Sequence, residues 1–209
     1  MVILATEVGD RTFFIAAIMA MRHSRMAVWS GAAGALVVMT VLSTLVGHVA
    51  PLLISRAYTQ YAAAALFLFF GVRMLKDGLA VDHAGASEEL EEVEAELTKK
   101  QEDDPVDEEA EEKPAVKEVS LNKVLVQAFT LTFLAEWGDR SQIATIALAA
   151  AREPFGVTIG ASLGHALCTG LAVVGGKFLA SSISERTVLL VGGVLFCIFS
   201  LLAVLGLGE

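Results

Sequence analysis

Apolar runs long enough to cross a bilayer, which takes about 20 residues in a helix, fall at Val2 to Met21, Ala27 to Ile54, Tyr58 to Leu75, Leu121 to Ala151, Phe155 to Ile183 and Thr187 to Leu207. Polar and turn residues separate them: Arg22-His23-Ser24-Arg25, Pro51 with Arg56, Arg152-Glu153-Pro154, and the stretch from Ser181 to Arg186. This pattern predicts an all-α membrane protein with six transmembrane helices. The runs beginning at Leu121 and Phe155 exceed one bilayer thickness, so tilt, an interfacial turn or a break inside the helix is expected in each.

The segment 79–120 interrupts the apolar pattern and has too few apolar residues to bury a core. Leu90, Val93 and Leu97 stand at i, i+3 and i+7, which permits a short amphipathic helix but not a stable coiled coil. Composition sharpens the contrast. Mean hydropathy is +0.64 and the pI is 4.9, yet the stretch from Asp77 to Glu118 holds 17 Asp and Glu against 4 Lys, and the rest of the chain has 11 basic against 7 acidic residues. The acidity therefore belongs to one polar insert, read as a solvated linker, with a loose calcium collector as the alternative; it carries no EF-hand spacing. Nucleic acid is excluded as a partner. Cys168 and Cys197 both lie in apolar runs and offer neither a disulfide framework nor a zinc knuckle.

Basic residues that flank the spans set the orientation. Arg22, Arg25, Arg73, Lys76, Lys117, Lys123, Lys177 and Arg186 fall on the side of the acidic insert, and Arg56 and Arg152 on the other. The insert should then be cytosolic and both termini should face the lumen or exterior. No cleavable signal is read at Met1.

A shift of 129 residues lays Glu7-Val8-Gly9-Asp10-Arg11-Thr12 on Glu136-Trp137-Gly138-Asp139-Arg140-Ser141 without a gap. Val28, Gly31 and Ala32 then fall on Val157, Gly160 and Ala161, Thr40 on Thr169, Gly47 on Gly176, and Leu66-Phe67 on Leu195-Phe196. Three spans in each half make the second half enter the membrane from the opposite side, so residues 1–78 and 121–209 form two inverted three-helix repeats around the acidic linker 79–120. Ser120 to Ala135 precede the second motif but only Met1 to Thr6 precede the first, so the first helix is expected to be clipped at its start.

An ionisable residue at the bilayer centre costs on the order of 2.5–3.5 kcal/mol, and the first and fourth segments carry Glu7, Asp10, Arg11, Glu136, Asp139 and Arg140. Within each motif the three charges project from one helix face. They could simply neutralise one another around the arginines; their recurrence in an inverted pair argues instead for four carboxylates gathered at one place. With two guanidinium groups, four carboxylates leave an excess negative charge that one divalent cation or two protons would cancel. Carboxylate oxygen suits calcium, manganese and magnesium. Gly9 and Gly138 could let the helices loosen so that backbone carbonyls join the ligands, and Thr12, Ser141, Thr40 and Thr169 are further oxygen donors, although a Ser or Thr in a membrane helix commonly bonds a backbone carbonyl. Gly160 with Gly164, mirrored by Gly31 with Ala35, indicates close helix packing. His165 and Cys168 at i, i+3 suggest a soft-metal pair, but Leu36 and Met39 occupy the corresponding places in the first half, which argues against it.

The doubled Glu-x-Gly-Asp-Arg-Ser/Thr motif, the run Thr132-Phe133-Leu134-Ala135 leading into the second copy, and the acidic loop between three-span halves resemble the Golgi calcium/manganese:proton exchanger family of the transmembrane protein 165 type. That resemblance implies import of Mn²⁺ and Ca²⁺ from the cytosol into the Golgi lumen against protons, supplying manganese for glycosylation. It implies Glu7, Asp10, Glu136 and Asp139 as cation ligands and no prosthetic group or catalytic residue. Two other classes compete. A passive cation channel would also use acidic rings. An intramembrane aspartyl protease would use Asp10 and Asp139, but each has a neighbouring Arg that holds it ionised, whereas an aspartyl dyad shares a proton.

Overall fold

A computed structural model describes residues 3, 7–53, 55–80, 88–103, 121–182 and 184–205. The start of the first segment, expected to be short, lies mostly outside them. The described chain is helical throughout: α1 (Arg11–Arg22), α2 (Arg25–Leu53), α3 (Arg56–Ala80), α4 (Glu88–Asp103), α5 (Leu121–Glu136), α6 (Arg140–Ala151), α7 (Pro154–Ser182) and α8 (Glu185–Val204). Of these, Arg25–Leu53, Pro154–Gly176 and Arg186–Val204 are long and apolar enough to cross a membrane.

The offset of 129 residues carries α1 onto α6 and α2 onto α7 with the same end points, and it carries the start of α3 onto the start of α8. Helices related in this way also touch: α2 packs on α7 and α3 on α8, while α1 packs on α7 as α6 packs on α2. Two apolar cores result. Phe13 to Ala20 of α1 join Val28 and Ala32 of α2, Val124 and Ala128 of α5, and Cys168 and Ala172 of α7. Phe67, Phe70 and Met74 of α3 pack with Ala144 and Ala147 of α6 and with Leu189 and Phe196 of α8.

Side-chain polarity is distributed as lipid requires. Val38, Leu42, Leu45, Val46 and Val49 of α2 and Leu163, Leu167, Leu171 and Val174 of α7 are exposed, whereas Thr40, Ser43, Thr44, Thr145, Thr169 and Ser200 are buried. In hydrocarbon the apolar surface costs nothing and buried hydroxyls join helices. Thr158 on α7 donates to Thr44 Oγ1 on α2 at 2.9 Å, Ser200 on α8 to the Ala64 carbonyl on α3 at 2.7 Å, and Gln60 on α3 to the Ala203 carbonyl on α8 at 2.8 Å. Small residues allow the approach. A Cβ at Gly31 would collide with the Leu125 carbonyl of α5, and one at Gly71 would stand 2.6 Å from Cys197 Sγ.

Both long segments are broken, one of the outcomes expected from their length. The run from Leu121 to Ala151 divides into α5 and α6 at Trp137 to Asp139, and α7 kinks at Gly176, where φ is 51°. The charged first segment also differs from a continuous span, because Val8 to Asp10 separate helical Glu7 from α1. The acidic insert differs from a wholly solvated linker. Its amphipathic stretch forms α4, whose Val93 and Leu97 are buried in the first apolar core against α1.

Candidate cation site

Glu7 and Glu136 are the last helical residues before the two breaks, and Asp10 and Asp139 are the N-caps of α1 and α6. One device makes both breaks. Gly9 and Gly138 adopt φ of 83° and 85°, a conformation that costs an L side chain about 1–2 kcal/mol. The amide of each Asp donates to the carbonyl of the Glu three residues earlier at 3.1 Å, and the next helix starts as Phe14 N–H bonds the Asp10 carbonyl at 3.2 Å and Ile143 N–H the Asp139 carbonyl at 3.1 Å. Each break therefore puts the Glu carbonyl beside the N-terminal amides of the next helix, opposite partial charges within one turn.

The sequence motif reappears as geometry. Thr12 Oγ1 donates to Glu7 Oε2 at 3.3 Å, and Ser141 Oγ donates to Glu136 Oε1. Glu7 and Glu136 are each 2% exposed, and Glu7 Oε1 and Glu136 Oε2 are buried without a hydrogen-bond partner. Glu7, Glu136 and Asp139 each offer an oxygen, all within 4.8 Å of one another. Oxygens on opposite sides of one ion, each about 2.1–2.6 Å from it, stand about 4.2–5.2 Å apart, so the three can share a divalent cation. A bare cluster of this kind is unfavourable, because neighbouring carboxylates resist joint ionisation and a buried unpaired oxygen costs about 1–3 kcal/mol.

The remaining charges divide unequally. Asp10 is buried and pairs with Arg140 Nη2 of the other half at 3.4 Å. Asp139 lies 3.9 Å from Arg140 Nε, while its Oδ2 accepts from the Ser141 amide at 3.0 Å. Arg11, expected on the same face as Glu7 and Asp10, is exposed and pairs with Glu96 of α4. The break alone does not separate Arg11 from them, since Arg140 follows the equivalent break and stays beside Asp10 and Asp139; what differs is that α4 brings Glu96 to Arg11. One guanidinium, rather than two, therefore stands among the four carboxylates, and the group is more negative than the motif composition implies.

The hydroxyls expected as further donors also divide. Thr12 and Ser141 reach the carboxylates. Thr40 donates to the Leu36 carbonyl at 2.8 Å, the ordinary role of a helix threonine, and Thr169 is buried on α7. Gly164 packs against Ile3, whose Cβ is 3.1 Å from where a Cβ at Gly164 would stand, whereas a Cβ at Gly160 would meet nothing within 4 Å.

Two residues at the site carry no motif signal. Gln142 Oε1 accepts from the Gly138 amide at 2.6 Å and closes the second break. His165 of α7 is 3% exposed, with Nδ1 3.6 Å from Glu7 Oε2 and no hydrogen-bond partner at that nitrogen. The i, i+3 spacing to Cys168 was the available hint, but Cys168 packs in the apolar core instead.

Residues 1–82 and 124–208 match the family described as divalent cation/proton antiporter GDT1. Among curated relatives, GDT1-like protein 3 of Oryza sativa subsp. indica is 52% identical over 202 residues, covering 95% of this chain and 69% of that protein. GDT1-like protein 5 of Arabidopsis thaliana is 47% identical over 208 residues, covering 96% and 90%. A GDT1-like protein of Synechocystis sp. is 44% identical over 203 residues, covering 97% and 93%. No solved structure matches. With the match spanning both motif-bearing parts of the sequence, this chain belongs to the GDT1 family of divalent cation/proton antiporters.

Proposed function

We propose that this chain exchanges Mn²⁺ or Ca²⁺ for protons and carries the metal from the cytosol into the Golgi lumen, where it supports glycosylation. Glu7, Asp10, Glu136 and Asp139 hold the cation in turn with protons. The six apolar segments form two inverted three-helix repeats in the Golgi membrane, with the acidic linker cytosolic and both termini lumenal. The observation that carries the chemistry is the trio of buried Glu7 and Glu136 with half-buried Asp139, in which two glutamate oxygens are unpartnered. A divalent ion and a pair of protons are alternative ways to offset two of the trio's negative charges, and alternation between them is antiport. Orientation rests on the basic flanks of the spans, and the inverted arrangement on the 129-residue offset and its odd number of spans.

A passive channel would use the same carboxylates without a counter-proton. An aspartyl protease is disfavoured by Arg140, which lies 3.4 Å from Asp10 and 3.9 Å from Asp139 where a dyad would need a shared proton. The test is flux of Mn²⁺ and Ca²⁺ in reconstituted vesicles, with a pH gradient imposed and then abolished. Exchange predicts uptake that follows the gradient and acidifies the metal-loading side. Metal flux without proton movement would leave the channel.

A further inference from the structure

We propose that His165 supplies a nitrogen ligand to the transported ion and thereby tilts the site toward Mn²⁺ over Ca²⁺; this deepens the cation-exchange assignment and rests on it. Glu7 Oε1, Glu136 Oε2 and His165 Nδ1 are each buried and unpartnered, and His165 stands beside Glu7 at the edge of the set formed by the Glu7, Glu136 and Asp139 oxygens. A buried imidazole nitrogen in apolar surroundings ordinarily finds a hydrogen bond, because leaving it without one costs about 1–3 kcal/mol. His165 Nδ1 instead stands 3.6 Å from Glu7 Oε2, beyond the about 2.7–3.2 Å of a hydrogen bond. It is the separation of two atoms that bind one ion side by side: ligand bonds of about 2.1–2.3 Å at angles of about 90–110° place neighbouring donors about 3.0–3.8 Å apart.

The chemistry follows from the atom type. A ligating Nδ1 presents its lone pair and leaves the ring proton on Nε2. Imidazole suits transition metals, whereas Ca²⁺ takes oxygen ligands. An all-oxygen site made of Glu7, Glu136 and Asp139 would accept both ions; one nitrogen in the set separates them. The corresponding place in the first half is Leu36, which is buried, so the nitrogen is contributed once and the two halves of the site are chemically different.

The experiment uses the purified full chain in lipid nanodiscs with Mn²⁺ as the only probe, prepared with ¹⁴N- or ¹⁵N-labelled histidine and read by electron spin echo modulation. The expected result is modulation from a directly bound imidazole nitrogen that changes with the isotope and disappears in His165→Gln. In the same preparations His165→Gln and His165→Leu should lower the Mn²⁺/Ca²⁺ affinity ratio about tenfold or more, by weakening Mn²⁺ while Ca²⁺ stays within about threefold. Bound Mn²⁺ with an all-oxygen sphere, or nitrogen modulation that survives His165→Gln, overturns the role of His165 and leaves the carboxylate site standing. Equal losses of both ions in the two variants would likewise reduce His165 to a packing residue. Mn²⁺ that binds wild type and Glu7→Gln/Glu136→Gln alike overturns the site itself.

Discussion

Arg140 reaches from its own half of the chain to Asp10 in the other, 3.4 Å away. Its repeat counterpart Arg11 does not return the contact and pairs with Glu96 on α4 instead. Two residues in equivalent motif positions thus have different work. Arg140→Gln removes the cation beside Asp10 and Asp139 and should lower Mn²⁺ flux at least tenfold, a loss of about 1.4 kcal/mol or more. Arg11→Gln loses an exposed pair worth about 0–1 kcal/mol and should keep flux within about threefold. Flux in proteoliposomes, normalised to inserted protein, compares them; equal effects would contradict the division of roles.

Glu7→Gln and Glu136→Gln keep side-chain shape and remove one anionic ligand each. Both should abolish exchange with insertion intact, and to a similar degree, because the two carboxylates have matching hydroxyl partners in Thr12 and Ser141. Wild-type flux in a correctly inserted variant of either kind would contradict a shared site.

Protons compete with the metal, since carboxylate ligands bind it only when deprotonated. The apparent metal affinity should therefore fall as the loading side is acidified, by about tenfold per pH unit for each proton displaced. Calorimetry or tracer binding across a pH series measures the slope. A flat profile would be incompatible with exchange at these groups.

Glycine substitutions separate backbone strain from crowding. Gly138→Ala meets nothing within 4 Å but holds φ at 85°, so it should destabilise by about 1–2 kcal/mol. Gly160→Ala has the same free space inside helix α7 and should be neutral or stabilising by up to about 1 kcal/mol. Gly31→Ala drives a methyl group into the Leu125 carbonyl and should be the most damaging of the three. Thermal unfolding in detergent ranks them.

Deleting Ser87 to Ala115 removes α4 and the residues after it, outside the stretches that match the family. Transport should survive largely intact, with a modest loss of stability because Val93 and Leu97 leave the core against α1. Complete loss of flux in a folded deletion variant would make α4 part of the transport path.

Much of the helical order was legible from hydropathy, because a long apolar run punctuated by Arg-Glu-Pro or Arg-His-Ser has few alternatives to helix. The ends of α2 and α7 differ from the apolar runs by only a few residues. The motif also singled out Glu7, Asp10, Glu136 and Asp139, since charge in an apolar run demands a cause; three of them bring oxygens within 4.8 Å of one another, while Asp10 pairs with Arg140. Helical wheels misplaced Arg11, for a wheel is blind to a partner from elsewhere in the chain, and Glu96 of α4 holds Arg11 while Arg140, after the equivalent glycine break, stays at the carboxylates. The place of His165 beside Glu7 carries no repeat signal. Leu36 holds the corresponding position in the first half, and the 3.6 Å between His165 Nδ1 and Glu7 Oε2 is set by tertiary packing. The docking of α4 was hidden for another reason: two apolar side chains among many acidic ones carry little periodic signal, and what they bury against is a tertiary fact.

Gly47 and Gly176 occupy the same place in α2 and α7 under the 129-residue offset. Gly47 lies in an unbroken helix, jammed against the Ile146 carbonyl and with Ala149 Cβ 2.8 Å from where its own would be, whereas Gly176 bends α7 and has Met21 Cγ no nearer than 3.6 Å. One glycine serves close packing and its twin serves a bend. The two halves therefore cannot be exact copies in shape: an unbroken arm faces a bent one, so the openings that the two arms border on opposite sides differ in width.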